Sequence, residues 1–469
     1  MLRRLTVFSL GCVPLVAMAV PVSLSHRQVT RIDAGVRAIM QRTGTPSAVI
    51  EIAQHGQVLY RHAYGLRDRR KQRPATVDSY YEIGSITKQF TAAAVLQLQE
   101  AGKLHLDDKL SDYLPNAPHA SEVTLRQLLS HTSGLPDYLD AIDKAGAIGK
   151  RASFDTLMSY VAGKPLDFAP GSHWSYTNTG YAMAGRVIEV VSHESYRHYV
   201  QTHLLDRAGM THTYTVADEG TLPNMAIGYQ RKDGRIVPAP TIADSVGWAA
   251  GFLVSTVGDL EKWNVALRGG RIVTPADYAL MSRSVRVGQG DAGYGLGLFV
   301  GKLDGQPRIG HTGGSLGFTT ASEYFPRQAL LVIAFTNFVD NPEPGETITT
   351  AIFEDLDPTI AAAAMRPAKG ENAAITRKLK AFFPHMQAGD TNSPLLAARL
   401  GKKMKMGLAK RLAGEFKGYG QPTAFIYKGE HMQAGMTFHD YVIRFGPGSL
   451  LKFGIALDRD GKITALLQG

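Results

Sequence analysis

A serine and a lysine stand one helical turn apart at the start of an alanine-rich helix, and this arrangement narrows the folds open to the chain more than any other stretch. Tyr81-Glu82-Ile83 reads as the end of an extended segment, and Gly84 permits a sharp turn. Phe90-Thr91-Ala92-Ala93-Ala94-Val95-Leu96-Gln97-Leu98 then forms a strong helix signal that stops at Gly102. Ser85 therefore falls at or near a helix N-terminus. Residues three apart share a helix face, so the Ser85 hydroxyl and the Lys88 amine can enter one pocket. A serine hydroxyl attacks only once a base takes its proton, and a lysine becomes that base only when burial and the helix-end dipole lower its pKa. The alanine-rich continuation predicts a buried helix, which would supply the desolvation. The same tetrapeptide also fits a capping serine followed by a solvated lysine, so the rest of the chain has to decide.

At 469 residues the chain is long enough for two or three domains, and 44% hydrophobic with 20% charged residues is the balance of a soluble globular protein. Its beginning is different. Met1-Leu2-Arg3-Arg4 is a basic n-region, Leu5 to Val20 is apolar, and Ala17-Met18-Ala19 is a small-x-small cleavage site. Residues 1–19 are thus expected to be a signal peptide. Pro14 interrupts the run and its length is short for a membrane span, so cleavage is expected and no span remains afterwards. The protein would be exported, periplasmic or secreted. Its single cysteine, Cys12, lies inside that peptide, and Ser9-Leu10-Gly11-Cys12 lacks the aliphatic residue of a lipoprotein site, which favours cleavage over lipidation. The mature chain would hold no disulfide and no thiolate metal site. No His/Asp/Glu spacing argues for zinc, no cofactor is expected, and no nucleic-acid motif is present. The net charge of +10 owes much to the tail, for example Lys402, Lys403, Lys405, Lys410 and Arg411. These fit a solvated basic helix, or attraction to an anionic envelope polymer or membrane face.

Taken in order, residues 28–44 form an amphipathic helix with Ile32, Val36, Ile39 and Met40 on one side. Ser47 to Ala53 and Gln57 to Gly65 form a β-hairpin about His55-Gly56. After the serine–lysine helix, residues 104–235 are mainly helical with long connections. Within them a polar loop, residues 170–180, runs into an apolar helix from Tyr181 to Val191. Trp248 to Thr256 and Tyr294 to Val300 read as strands, with a helix from Val257 to Arg268 between them. Strands Thr319 to Phe325 and Ala329 to Asn337 and a helix from Glu346 to Leu356 close the region. The fold class is α+β: an antiparallel sheet flanked by helices, with an inserted all-α domain and a pocket between the two. Residues 28–357 make this first domain, 358–372 a linker, and 373–469 a small α+β domain of helices and four short strands.

Two further stretches bear on Ser85. Tyr176-Thr177-Asn178 offers a phenol that can relay a proton and an amide that can bind a substrate carbonyl or the lysine. His311-Thr312-Gly313-Gly314 precedes or occupies an edge strand, where glycines let a substrate lie close to the backbone. Ser85-x-x-Lys88, then Tyr176-x-Asn178, then a basic residue with Thr-Gly, in this order, resembles the serine β-lactamase and penicillin-binding protein superfamily, and Tyr-x-Asn its class C-like branch. Leu128 to Pro136, Gly251 to Thr256 with Asp259 and Trp263, and Gly310 to Gly314 extend the likeness over roughly 30 to 357.

The resemblance implies that Ser85 is the acylated nucleophile and that Lys88 and Tyr176 share its proton, leaving open which is the base. It implies that Asn178 positions the substrate, that backbone N–H groups of Ser85 and Gly314 form an oxyanion hole, and that His311 and Thr312 face the substrate. Classical members carry lysine at the position of His311, where it binds a carboxylate. An imidazole is shorter and mostly neutral at pH 7. The variant favours an ester, a small amide or a D-amino-acid peptide over a β-lactam, as in the family's esterases and D-aminopeptidases. Alternatives are a D,D-carboxypeptidase or D-aminopeptidase acting on cell-wall peptides, and a non-hydrolysing penicillin- or ligand-binding protein. A Ser-His-Asp triad of Ser85 with His131 and Asp137 is disfavoured, because the family uses that segment to brace the insert.

Overall fold

The computed structural model describes residues 23–288, 290–433 and 435–468, so the expected signal peptide and Cys12 lie outside it. The helix His26–Thr43 starts where Ser25 and Gln28 cap each other's backbone, and it ends where Gly44 turns left-handed at φ 80°. Its buried Ile32, Val36 and Ile39 cover one face of a seven-stranded antiparallel sheet. Across the sheet the order is Phe299–Leu303, Gln306–Gly314, Thr319–Phe325, Leu330–Thr336, Ser47–Gln54, Gln57–Asp68, Arg73–Pro74. His55 and Gly56, at φ 51° and 75°, close the first hairpin with both central residues at positive φ, as its twist requires.

Period-two alternation divides the apolar side chains of the central strands between two layers. Ile50, Ile52, Val332 and Ala334 meet the N-terminal helix and the helix Pro344–Leu356. Val49, Ala53, Ile333 and Phe335 face the other way, into a core shared with the helices Thr87–Glu100 and Val257–Arg268. The region expected to be mainly helical carries Leu125–Leu129, Tyr138–Lys144, Phe154–Ser159 and Asn178–Ser192. Its Leu128, Tyr181 and Val187 belong to the same continuous core as Phe90 and Trp263. Helices do not fill that region: it ends in a hairpin, Tyr229–Lys232 with Arg235–Pro238.

Two expected strands differ. Asp244–Gly251 is helical with a break at Trp248, at φ 31°, and only Leu253–Ser255 is extended. The bend turns the carbonyls of Ala249 and Ala250 toward Thr91 and Lys88, which hydrogen-bond them. The edge strand begins at Phe299 rather than Tyr294. Gly297, at φ 74°, packs so tightly that a Cβ there would stand 2.8 Å from the Lys88 carbonyl oxygen. Both departures let backbone close over the nucleophile helix.

Beyond Leu356 the chain forms a further helix, Pro358–Ala364, where a linker was expected. The C-terminal unit is a four-stranded antiparallel meander, Ala424–Gln433, Met436–Gly446, Ser449–Leu457 and Ile463–Gln468. It has a core of its own, in which Leu379, Phe382, Phe383 and Phe416 from helices pack on Ile443, Phe453 and Ile455. Arg444 ties it to the sheet domain, with Asp304 at 3.0 Å and Glu354 as its partners. No helix among the described residues is long and apolar enough to cross a membrane.

Candidate active site

Ser85 lies in a single 3-10 turn, Gly84–Ile86, that runs directly into the helix Thr87–Glu100. The turn's bond joins Ile86 N–H to the Ile83 carbonyl, which leaves the Ser85 N–H before the first intrahelical bond. Gly84, at φ 49°, lets the turn press against the strand Gln306–Gly314: a Cβ there would lie 2.5 Å from the Gly314 carbonyl oxygen. That strand continues to Gly314, whereas its edge partner reaches only Phe299, paired with Gly310. Residues 311–314 therefore present one unpaired strand edge beside Ser85, the kind of edge on which an extended substrate can lie.

One helical turn on, Lys88 is 0% exposed. Its Nζ is 3.0 Å from Ser85 Oγ, 2.8 Å from Asn178 Oδ1 and 2.9 Å from the Ala250 carbonyl oxygen. Burial lowers its pKa to about 7, against a smaller opposing pull from the Asp137 charge. The network fixes which way Asn178 points. Asp137, a carboxylate and hence an acceptor, takes the Asn178 backbone N–H at 3.1 Å and side-chain Nδ2 at 2.9 Å, so Oδ1 is left for the lysine. Asn178 stands in the first turn of the helix Asn178–Ser192, capped by Thr177, and not on the preceding loop.

Tyr176 precedes it, with its ring centroid 4.8 Å from Lys88 Nζ, and the Ser85 hydroxyl nearby favours the phenol's charged form only weakly against burial. Burial raises the phenol's pKa above its ordinary value, so it holds its proton at neutral pH. His131 clamps this tyrosine from behind: its carbonyl accepts the Ser175 N–H at 3.0 Å and its Nδ1 accepts the Thr177 N–H at 3.2 Å. Asp137 instead caps the helix Tyr138–Lys144 and holds Asn178. His131 and Asp137 thus serve different partners and form no triad with Ser85.

His311 is buried, with both ring nitrogens engaged inside the protein. Nδ1 is 2.5 Å from the Thr312 carbonyl oxygen and therefore carries the hydrogen, which leaves Nε2 to accept from the Tyr294 hydroxyl at 2.9 Å. Burial and the nearby Lys88 charge lower its pKa to about 3, so it is neutral. The side chain expected to face the substrate is instead locked to Tyr294. Thr312, half-buried, lies with His311 along a cavity of about 210 Å³ that also holds Phe299, Arg308, Glu323 and Glu346.

A family model named Beta-lactamase matches residues 32–357, a span that includes Ser85, Lys88, Tyr176, Asn178 and the 311–314 strand. The chain belongs to the beta-lactamase family. Among relatives in that family, "Putative penicillin-binding protein PbpX" of Bacillus subtilis (strain 168) is 29% identical over 315 residues, 66% of this chain and 75% of the relative. A D-stereospecific amidohydrolase from Streptomyces sp. is 27% identical, with a TM-score of 0.58, over 66% of this chain and 94% of its own. The octameric penicillin-binding protein homologue from Pyrococcus abyssi, at 23% identity and a TM-score of 0.64, shares the fold over 92% of this chain and 97% of its own. The beta-lactamase fold with amidohydrolase neighbours makes this chain a serine hydrolase.

The spacing of Ser85 and Lys88 was readable in the sequence, but Asp137, Tyr294 and the Ala250 carbonyl were not. Asp137 carries only the signature of a helix cap, Tyr294 sits in a stretch that reads as a strand, and a carbonyl has no sequence signal at all.

Proposed function

We propose that the protein hydrolyses an amide or ester bond through an acyl-enzyme on Ser85, with Lys88 as the base in the free enzyme. The observation that carries this is the coordination of Lys88 Nζ. Two of its three partners, Asn178 Oδ1 and the Ala250 carbonyl, can only accept. A neutral amine has two hydrogens and one lone pair, so it satisfies both acceptors and turns the lone pair to the Ser85 hydroxyl. Its pKa of about 7 makes that form abundant at neutral pH. Tyr176 keeps its proton and can hand it to the leaving group while Lys88 replenishes it.

In this account Ser85 Oγ attacks the carbonyl carbon as its proton passes to Lys88. The negative charge gathers on the carbonyl oxygen between the N–H groups of Ser85 and Gly314, each donor contributing about 3 kcal/mol. The leaving amine or alcohol departs with a proton delivered through Tyr176. Water then attacks the acyl-enzyme, the proton it loses passes to the same pair, and the pair returns it to Ser85 Oγ as the acyl C–O bond breaks and the acid leaves. Asn178 holds Lys88 and, on its exposed side, the acyl group's amide.

The substrate is an ester or amide, D-amino-acid amides and peptides included, with no carboxylate requirement at His311. A neutral imidazole bonded on both nitrogens supports this, because it offers no cation. The likeness to a D-stereospecific amidohydrolase supports the D-amide class. The lysine that helps classical members bind a terminal carboxylate is absent, which disfavours a cell-wall D,D-carboxypeptidase. Export of the chain, with removal of residues 1–19, and a boundary between 28–357 and 373–469 belong to the same proposal.

The test is turnover of a chromogenic ester, a D-amino-acid anilide and a chromogenic cephalosporin by the protein and by Ser85→Ala. Turnover of the ester and D-anilide above the cephalosporin, lost in the variant, is expected. Stable acylation without turnover would replace this account with a binding protein on the same fold.

A further inference from the structure

The C-terminal unit carries a surface that hydrolysis does not use. Between Ala398 and Lys417 the chain has seven lysines and arginines and a single carboxylate, Glu415. Arg399, Lys402, Lys403, Lys405, Lys410 and Arg411 are all exposed. Among the described residues, Lys402, Lys403, Lys405 and Lys410 have neither an ion pair nor a side-chain hydrogen bond, while Arg411 reaches Glu415 at 3.6 Å. So dense a charge is repulsive by itself and favours an anionic partner.

The helical run is broken in its middle. Ala398–Lys403 and Ala409–Phe416 are α-helical, but Met404–Leu408 forms a wider turn in which Gly407 takes φ 116°. A side chain at Gly407 would resist that conformation. The break puts Met406 76% into solvent, an apolar side chain amid the cations. It also opens a cleft of about 510 Å³ that reaches Leu400, Leu412, Phe453 and Leu466, with Lys403 and Arg411 in its wall. That volume lies in the range of small-molecule sites. An apolar slot walled by cations, beside an exposed methionine, matches an amphiphile with an anionic head better than a polar chain, which would leave the slot empty.

We propose that this surface docks the protein on an anionic lipid bilayer, with the cations on the headgroups, Met406 in the interface and an acyl chain in the cleft. Binding of this kind scales with buried apolar area and basic charge and weakens with salt. It is independent of the acyl-enzyme chemistry.

The experiment uses the full chain in co-sedimentation with vesicles of phosphatidylcholine alone or mixed with phosphatidylglycerol. Three proteins are compared: the parent, Lys403→Glu with Arg411→Glu, and Met406→Asp. The parent is expected to bind the anionic vesicles and not the neutral ones. The double variant should lose about tenfold or more in affinity, and Met406→Asp a smaller factor, while all three keep the same ester turnover as a check on folding. No binding to anionic vesicles overturns the proposal, and so does equal binding to neutral ones, or binding by the double variant as tight as by the parent. Binding to soluble polyglutamate as tight as to vesicles, unaffected by Met406→Asp, would identify a purely electrostatic polymer site and also overturn it.

Discussion

Lys88 and Lys403 belong to helices of one chain, and their surroundings give them opposite chemistry. Lys88 is sealed in a core with three oxygen partners, and its pKa falls to about 7. Lys403 is exposed with no partner among the described residues, so its side chain is open to a charged surface. The difference teaches that spacing proposes a catalytic lysine, but the number of obligate acceptors and the exclusion of water make one. The contrast also places the two activities proposed here in separate cores, so each can be broken without the other.

The strongest break is Ser85→Ala, which removes the nucleophile and is expected to lower kcat/KM about 10⁴-fold or more with little change in thermal stability. Next is Lys88→Met. It keeps the bulk of the side chain and removes the base, so a loss of about 10³-fold in kcat/KM is expected from steady-state kinetics. The same substitution reports on stability. Buried Lys88 titrates near 7 instead of 10.5, so between those values the unfolded chain binds more protons. The parent should therefore gain stability relative to Lys88→Met as pH rises from about 7 to about 10.4, by about 1.4 kcal/mol per pH unit, measured by denaturant unfolding.

Asp137→Asn gives a smaller effect with a distinct signature. The Asp137 charge raises the Lys88 pKa, so its removal should move the acidic limb of the kcat/KM profile below about 7. It should also cut kcat about tenfold by loosening Asn178. A purely structural role would lower stability and leave the limb in place. The smallest effect is expected at the solvated end of the comparison: Lys402→Gln with Lys410→Gln should leave ester turnover unchanged and stability within about 0.5 kcal/mol.

Local patterns were the legible part of this chain. The hairpin about His55-Gly56 follows from turn chemistry and the buried helix after Ser85 from its run of strong helix formers, and both are present. Only Leu253–Ser255 of the strand expected over Trp248 to Thr256 is extended, because Ala249, Ala250 and Gly251 fit any buried backbone and the demand for acceptors at Thr91 and Lys88 selected a kinked helix. The basic helix expected about Lys402 to Arg411 is broken at Gly407 for a similar reason, since one glycine suffices to break it. His311 was expected to meet the substrate. Tyr294 captures it from 17 residues away, across a loop whose path no short-range pattern encodes.

The central claim is that a neutral Lys88 activates Ser85, and pre-steady-state acylation by a chromogenic ester, followed by intact mass across pH, tests it most directly. One acyl adduct, absent from Ser85→Ala and formed at a rate that climbs to a plateau with a midpoint near pH 7, is the predicted result. An adduct elsewhere, or a Ser85 acylation rate that stays flat between about pH 5 and 9, would contradict it.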